Sequence, residues 1–187
     1  MNKSAFRLAT LLIGSLSTSV YANNIGHLYF GADLNINNEI KLDGFLAPLT
    51  EVSDIGYNAH LGFLFNTHEL VNLGIEAEYR QLGQSNHSNV MIYKGSATFI
   101  NIKPKFVNSN TQLYSAVLLG IGKVDSHFQT YDATMNYRST GYQYGIEVGY
   151  DFKSGISSYL GYKALKINEE IIELTSTGLY AGMSYSF

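Results

Sequence analysis

The chain has 187 residues and a formal charge of −3, with 15 Tyr, 10 Phe and 18 Gly but only two Pro and neither Cys nor Trp. The missing cysteines exclude a disulfide framework, a thiolate metal site and a cysteine nucleophile, and the mild acidity argues against the basic stripe that a nucleic-acid partner favours. After Ala22 no apolar run approaches the ~20 residues of a spanning helix.

The first residues read as an export signal. Lys3 and Arg7 give a basic start, the stretch LATLLIGSL that follows is apolar, and Val20-Tyr21-Ala22 is a small-x-small processing site. Cleavage between Ala22 and Asn23 is expected, dividing the chain into a signal peptide at 1–22 and one domain at 23–187. An uncleaved anchor would need about twice that apolar length. Loss of Lys3 and Arg7 moves the formal charge to about −5.

Period-two alternation then recurs at intervals too short for helical crossovers, in about eight segments of strand length. The first strand, His27 to Ile36, carries Leu28, Phe30, Ala32, Leu34 and Ile36 on one face. In the second, Ile55 to Phe65, Tyr57, Leu61 and Phe63 oppose Asn58, His60 and Gly62. The third, Leu70 to Leu82, sets Val71, Leu73, Ile75, Ala77 and Tyr79 against Asn72, Glu76, Glu78 and Arg80. The fourth, roughly Val90 to Val107, changes phase, because Ile100, Ile102 and Phe106 fall on one parity and Tyr93, Ala97 and Phe99 on the other; a bulge near Phe99-Ile100 would reconcile them. The fifth, Thr111 to Val124, has two plausible faces, with Leu113, Val117, Leu119 and Ile121 preferred outward. In the sixth, Thr140 to Phe152, Tyr142, Tyr144, Ile146 and Val148 oppose Gln143, Glu147 and Asp151. The seventh is Ile156 to Ile167, and the eighth, Thr177 to Phe187, ends the chain on an aromatic residue.

Connections after the even strands are short, and those after the odd strands, near 37–54, 83–89, 125–139 and 168–176, are longer. Short turns at one end and long loops at the other describe a transmembrane barrel with both termini in the periplasm. A soluble lipocalin-like barrel requires the reverse burial, apolar within and polar without. The expected fold is therefore all-β, an eight-stranded antiparallel up-and-down transmembrane barrel of the bacterial outer membrane, surrounded by lipid and lipopolysaccharide.

So narrow a barrel is filled by its own side chains. Glu76, Glu78, Arg80, Lys103, Lys105, Glu147, Asp151 and Lys163 fall on inward parity and are expected to form an ion network, because buried charges need partners. The same residues could line a narrow pore. Neither catalytic nor metal chemistry is indicated. His87-Ser88 is the nearest approach to a nucleophile with its base, but adjacent side chains of an extended segment point apart, and metal-ligand spacings are missing. No cofactor is expected. Among the external loops, Phe45 and Leu46 in the first and Phe128 and Tyr131 in the third are candidate contacts for an extracellular ligand or host surface.

Leu113-Tyr114 through Gly120-Ile121-Gly122-Lys123, the run from Tyr142 to Phe152, and Gly178 to Phe187 resemble the small OmpX/Ail-type and OmpA-like outer-membrane barrels. The resemblance implies eight antiparallel strands and insertion by the outer-membrane assembly machinery, which reads the terminal aromatic strand; Tyr185 and Phe187 would be that signal. It also implies roles from envelope stability to adhesion and colonisation. The leading expectation is a non-enzymatic surface barrel acting through its loops, with a small porin-like channel as the alternative.

Overall fold

The computed structural model describes residues 25–43, 49–87, 91–130, 134–168 and 173–187. Among them are β1 (Gly26–Asp43), β2 (Leu49–Val52), β3 (Gly56–His68), β4 (Val71–His87), β5 (Met91–Val107), β6 (Leu113–Thr130), β7 (Thr134–Asp151), β8 (Ile156–Asn168) and β9 (Glu173–Ser186). Their order is β2-β1-β3-β4-β5-β6-β7-β8-β9, and pairing of β1 with β9 closes the ring. Every adjacent pair is antiparallel. Closure removes the exposed edges that would otherwise leave backbone groups unpaired in lipid.

Eight strands form the wall as expected, and the ninth, β2, belongs to one of them. Glu39 of β1 faces Val52 of β2, and Asn35 of β1 faces Gly56 of β3. The step along β1 equals the step from Val52 to Gly56, so β2 and β3 are one strand in one register, interrupted at 53–55. There Ser53 Oγ donates to the Leu82 carbonyl at 3.1 Å and Asp54 N to the Gln84 carbonyl at 2.9 Å. Opposite the interruption, β4 carries a bulge: its pairing with β5 shifts between Gln81 and Gln84, and Gly83 takes φ +83°.

The bulge expected near Phe99-Ile100 is therefore in β4 instead. In β5 the burial pattern alternates without a break from Tyr93 to Lys103, and its register with β6 is constant. β6 adopts the preferred phase, with Leu113, Leu119 and Ile121 outward and Tyr114 and Ala116 inward. The strands also run further than the apolar pattern indicated. Residues 125–129 and 134–138, expected as loop, pair with each other in the β6–β7 hairpin. Outward residues turn polar there because the lipid stops, while the sheet continues.

Outside, Phe30 (50% exposed), Ile100 (56%), Ile121 (52%) and Ile146 (64%) belong to a belt of apolar side chains around the wall. A contiguous apolar surface of that kind is a lipid contact. At the end bearing the short turns, Tyr185 packs against Phe187 (ring centroids 5.2 Å) and Phe63 against Phe65 (4.7 Å), as an interfacial girdle would. This end is called the turn end below, and the opposite one the loop end.

Inside, large side chains face glycine across the ladder. Tyr29 is opposite Gly62, Tyr114 opposite Gly149 and Tyr180 opposite Gly161. A Cβ on Gly149 would lie 2.4 Å from the Tyr114 ring, and one on Gly62 2.6 Å from that of Tyr29. Each ring occupies the space that its partner's missing side chain leaves.

Candidate functional site: the barrel interior and the loop-end wall

Two layers fill the interior. Toward the turn end lies a polar layer built on Glu147, whose carboxylate accepts from Lys103 Nζ (3.0 Å), Tyr114 Oη (2.8 Å) and Tyr180 Oη (2.9 Å). Lys103 is also 4.0 Å from Glu76, which accepts from Tyr29 Oη at 2.9 Å and Asn101 Nδ2 at 3.0 Å. Next along the axis, Glu78 accepts from Lys163 Nζ at 3.0 Å, from Asn101 Nδ2 at 2.8 Å and from Gln143 Nε2. Lys163 reaches Asp33 at 3.3 Å, and Asp33 is held by Asn58 Nδ2 and lies 3.7 Å from His60 Nδ1. Nearer the turn-end mouth, Lys105 pairs with Asp151 at 2.8 Å and stands 3.8 Å over the Tyr114 ring. A cavity of about 20 Å³ beside Lys103, Lys105, Tyr114 and Glu147 is water-sized.

Toward the loop end the interior becomes apolar. Ile40, Leu82, Tyr93, Ala97, Phe99, Val124, Leu165, Ile167 and Leu174 form one buried cluster, five of them with no exposed surface besides Ile40. Arg80 sits where the layers meet. It is fully buried, and none of its guanidinium nitrogens has a protein hydrogen-bond partner.

All eight charged residues expected inside are on inward positions; Glu76 and Lys103, on adjacent strands, approach to 4.0 Å, while the shorter ion pairs cross the lumen. Lys103 and Lys105, on β5, reach across to Glu147 and Asp151 on β7, and Glu78 on β4 reaches Lys163 on β8. Asp33, Asn58, His60, Asn101 and Gln143 complete the network, together with three tyrosines. Inward parity marks them in the sequence; what it does not mark is which side chains meet through the lumen. The apolar layer carries a signal too, since Tyr93, Ala97 and Phe99 share one parity, and it was this parity that made β5 ambiguous.

Phe128 is part of β6 rather than of a loop. Its half-buried ring lies 5.1 Å from Tyr93 and 6.0 Å from Tyr137, covering the apolar layer. Phe45, Leu46 and Tyr131 lie outside the described residues, as do Ala22, Asn23 and Ser88. Tyr185 and Phe187 lie at the β1–β9 seam, where the Phe187 amide donates to the Leu28 carbonyl at 3.0 Å and both rings pack on Phe30.

The sequence model of the outer membrane protein beta-barrel domain matches residues 8–187. No curated protein matches. Among solved structures, Neisserial surface protein A superposes with a TM-score of 0.58 at 12% identity, over 86% of this chain and 97% of that one. The attachment invasion locus protein Ail of Yersinia pestis gives 0.53 at 16% identity, over 87% and 99%. The N-terminal β-barrel domain of Pseudomonas aeruginosa OprF gives 0.52 at 14%, over 87% and 99%. Ail also superposes, at 14% identity and a TM-score of 0.52, in its complex with the heparin analogue sucrose octasulfate, over 86% of this chain and 99% of that one. At these identities the likeness is one of fold.

Proposed function

Because the chain belongs to the outer membrane protein beta-barrel domain family, we propose that this bacterial outer-membrane barrel is a non-enzymatic surface protein that works through its loop end, in envelope structure, adhesion or both. The observation that carries this reading is the filling of the lumen. Cross-linked charges occupy one half and a cluster of buried apolar side chains the other, so the groups available to a partner lie on the strand extensions and loops. In this reading the leader is removed after Ala22, both termini are periplasmic, and the outer-membrane assembly machinery recognises Tyr185 and Phe187. Sulfated glycans are a reasonable partner class to screen first, since Ail has been crystallised with a heparin analogue.

The test is attachment. Cells displaying the barrel with 44–48 and 131–133 replaced by glycine and serine should bind a host-cell monolayer at background level. Undiminished attachment by a correctly inserted replacement overturns the adhesive reading.

A narrow channel is the second reading, favoured by the charged layer and by the water-sized cavity at the turn end. Planar-bilayer recording separates the two. The filled-lumen reading expects a silent wild type, whereas reproducible wild-type conductance abolished by Lys103→Ala establishes the channel.

A further inference from the structure

The lipid-facing wall is not evenly filled. Near the turn end, β6, β7 and β8 leave a recess of about 510 Å³ on their outer face. Leu113, Tyr150 and Ser158 are register neighbours and form its turn-end rim, while Val148 and Leu160, one outward row further on, form the opposite rim. Between the rims the floor is backbone, because the intervening register row is Tyr114, Gly149 and Tyr159, whose side chains point into the lumen or are missing.

Leu113, Val148 and Leu160 are exposed and give the recess an apolar lining. The Tyr150 ring closes one side and is braced against Phe152, with ring centroids 4.9 Å apart. Ser158 differs in kind. It puts a hydroxyl on an outward position of β8, between Ile156 and Leu160 on the same face of the strand. A hydroxyl in apolar surroundings costs free energy unless it finds a hydrogen-bond partner, so this position calls for an acceptor from the lipid side. Its depth supplies one: Ser158 is level in register with Tyr150, a girdle residue, and girdles mark where acyl chains meet the glycerol esters. Lys153, exposed in the turn between β7 and β8, adds a cation on the headgroup side.

We propose that this recess holds a glycerophospholipid, with one acyl chain lying across Gly149 between the two rims and Ser158 Oγ donating a hydrogen bond to an ester carbonyl. The proposal rests on the turn end facing the periplasmic leaflet, as proposed above, where glycerophospholipid is the lipid at hand. Continuity with the apolar belt favours a lipid over a protein partner, because the recess opens directly onto the surface that acyl chains already cover. Apolar contact is common to any chain that enters. The hydroxyl is what separates a held lipid from its neighbours, since only an acceptor at this depth can answer it. The phosphate then lies on the side of Lys153, where a charge-assisted hydrogen bond is available.

The test uses the full-length barrel, delipidated in neutral detergent and titrated with a diester phosphatidylglycerol or with its diether analogue, which has the same chains and headgroup but no carbonyl. Bound lipid is counted by native mass spectrometry. Wild type should retain the diester about fivefold better than the diether, the worth of one hydrogen bond. Ser158→Ala should bind the two alike, and Ser158→Leu, which fills the recess, should lose both. Ala59→Leu, on the outward face of β3 and away from the recess, should behave as wild type. Heat-modifiable gel mobility verifies that each variant is folded. Equal retention of the two lipids by wild type, a preserved ester preference in Ser158→Ala, undiminished binding by Ser158→Leu, or dimers of the barrel in place of bound lipid overturns the proposal. Loss or survival of attachment in the loop replacements concerns the adhesive reading alone, because those replacements lie at the opposite end of the barrel.

Discussion

The turn-end half of the lumen and the loop-end half solve the same packing problem with opposite chemistry. In the first, Glu147 gathers Lys103, Tyr114 and Tyr180, and removal of any partner leaves another buried polar atom unanswered. In the second, Phe99, Leu82, Val124 and Leu165 fill space without such obligations. The contrast teaches that a polar lumen is no requirement of a membrane barrel. What lipid dictates is the outer face, and the inner face is free to be ionic or oily provided it is filled.

Substitutions can break or sharpen that contrast, and the largest effect is expected in the ionic half. Glu147→Leu should cost about 4 kcal/mol, because it strands a buried ammonium; urea titration of the folded band on a cold gel measures it. A cost near zero would mean that water reaches the layer freely. Phe99→Ala should cost about 3 kcal/mol by leaving a cavity, while Phe99→Leu should cost only about 1 kcal/mol, a tolerance that the ionic half lacks. If Phe99→Leu proved as damaging as Glu147→Leu, the two halves would not differ in kind. Arg80→Met should cost about 1 kcal/mol or less in the same titration, since no protein hydrogen bond is lost. A large loss there would assign Arg80 to the ionic layer as a full member. Smallest of all, Lys105→Met should change stability by under about 1 kcal/mol, its partner Asp151 being part-exposed at the mouth.

The outer wall was legible in the sequence because lipid imposes one demand on every second residue. The positions of Leu34, Ile75, Ile146 and Val148 follow from parity alone, as does the inward placement of Glu76, Glu78 and Glu147. Parity fails where both faces are apolar, so β5 reads as bulged although its register is constant. It also fails where both are polar, so the extended β6–β7 hairpin reads as a loop. Cross-lumen pairing was out of reach for another reason: Lys163 and Glu78 are 85 residues apart, and their meeting depends on barrel diameter and on the stagger of non-adjacent strands.

The facing of interior rings with glycines bears on how the wall finds its alignment. A slip of one residue turns every side chain to the wrong face and is rejected by lipid. A slip of two keeps each face as it was, so hydrophobicity alone tolerates it. Under such a slip Tyr29 would meet inward His60 or Leu64 in place of Gly62, and Tyr114 would leave the vacancy beside Gly149. Bulk against void is therefore a proofreading code for the ladder, written on the side of the sheet that lipid never inspects.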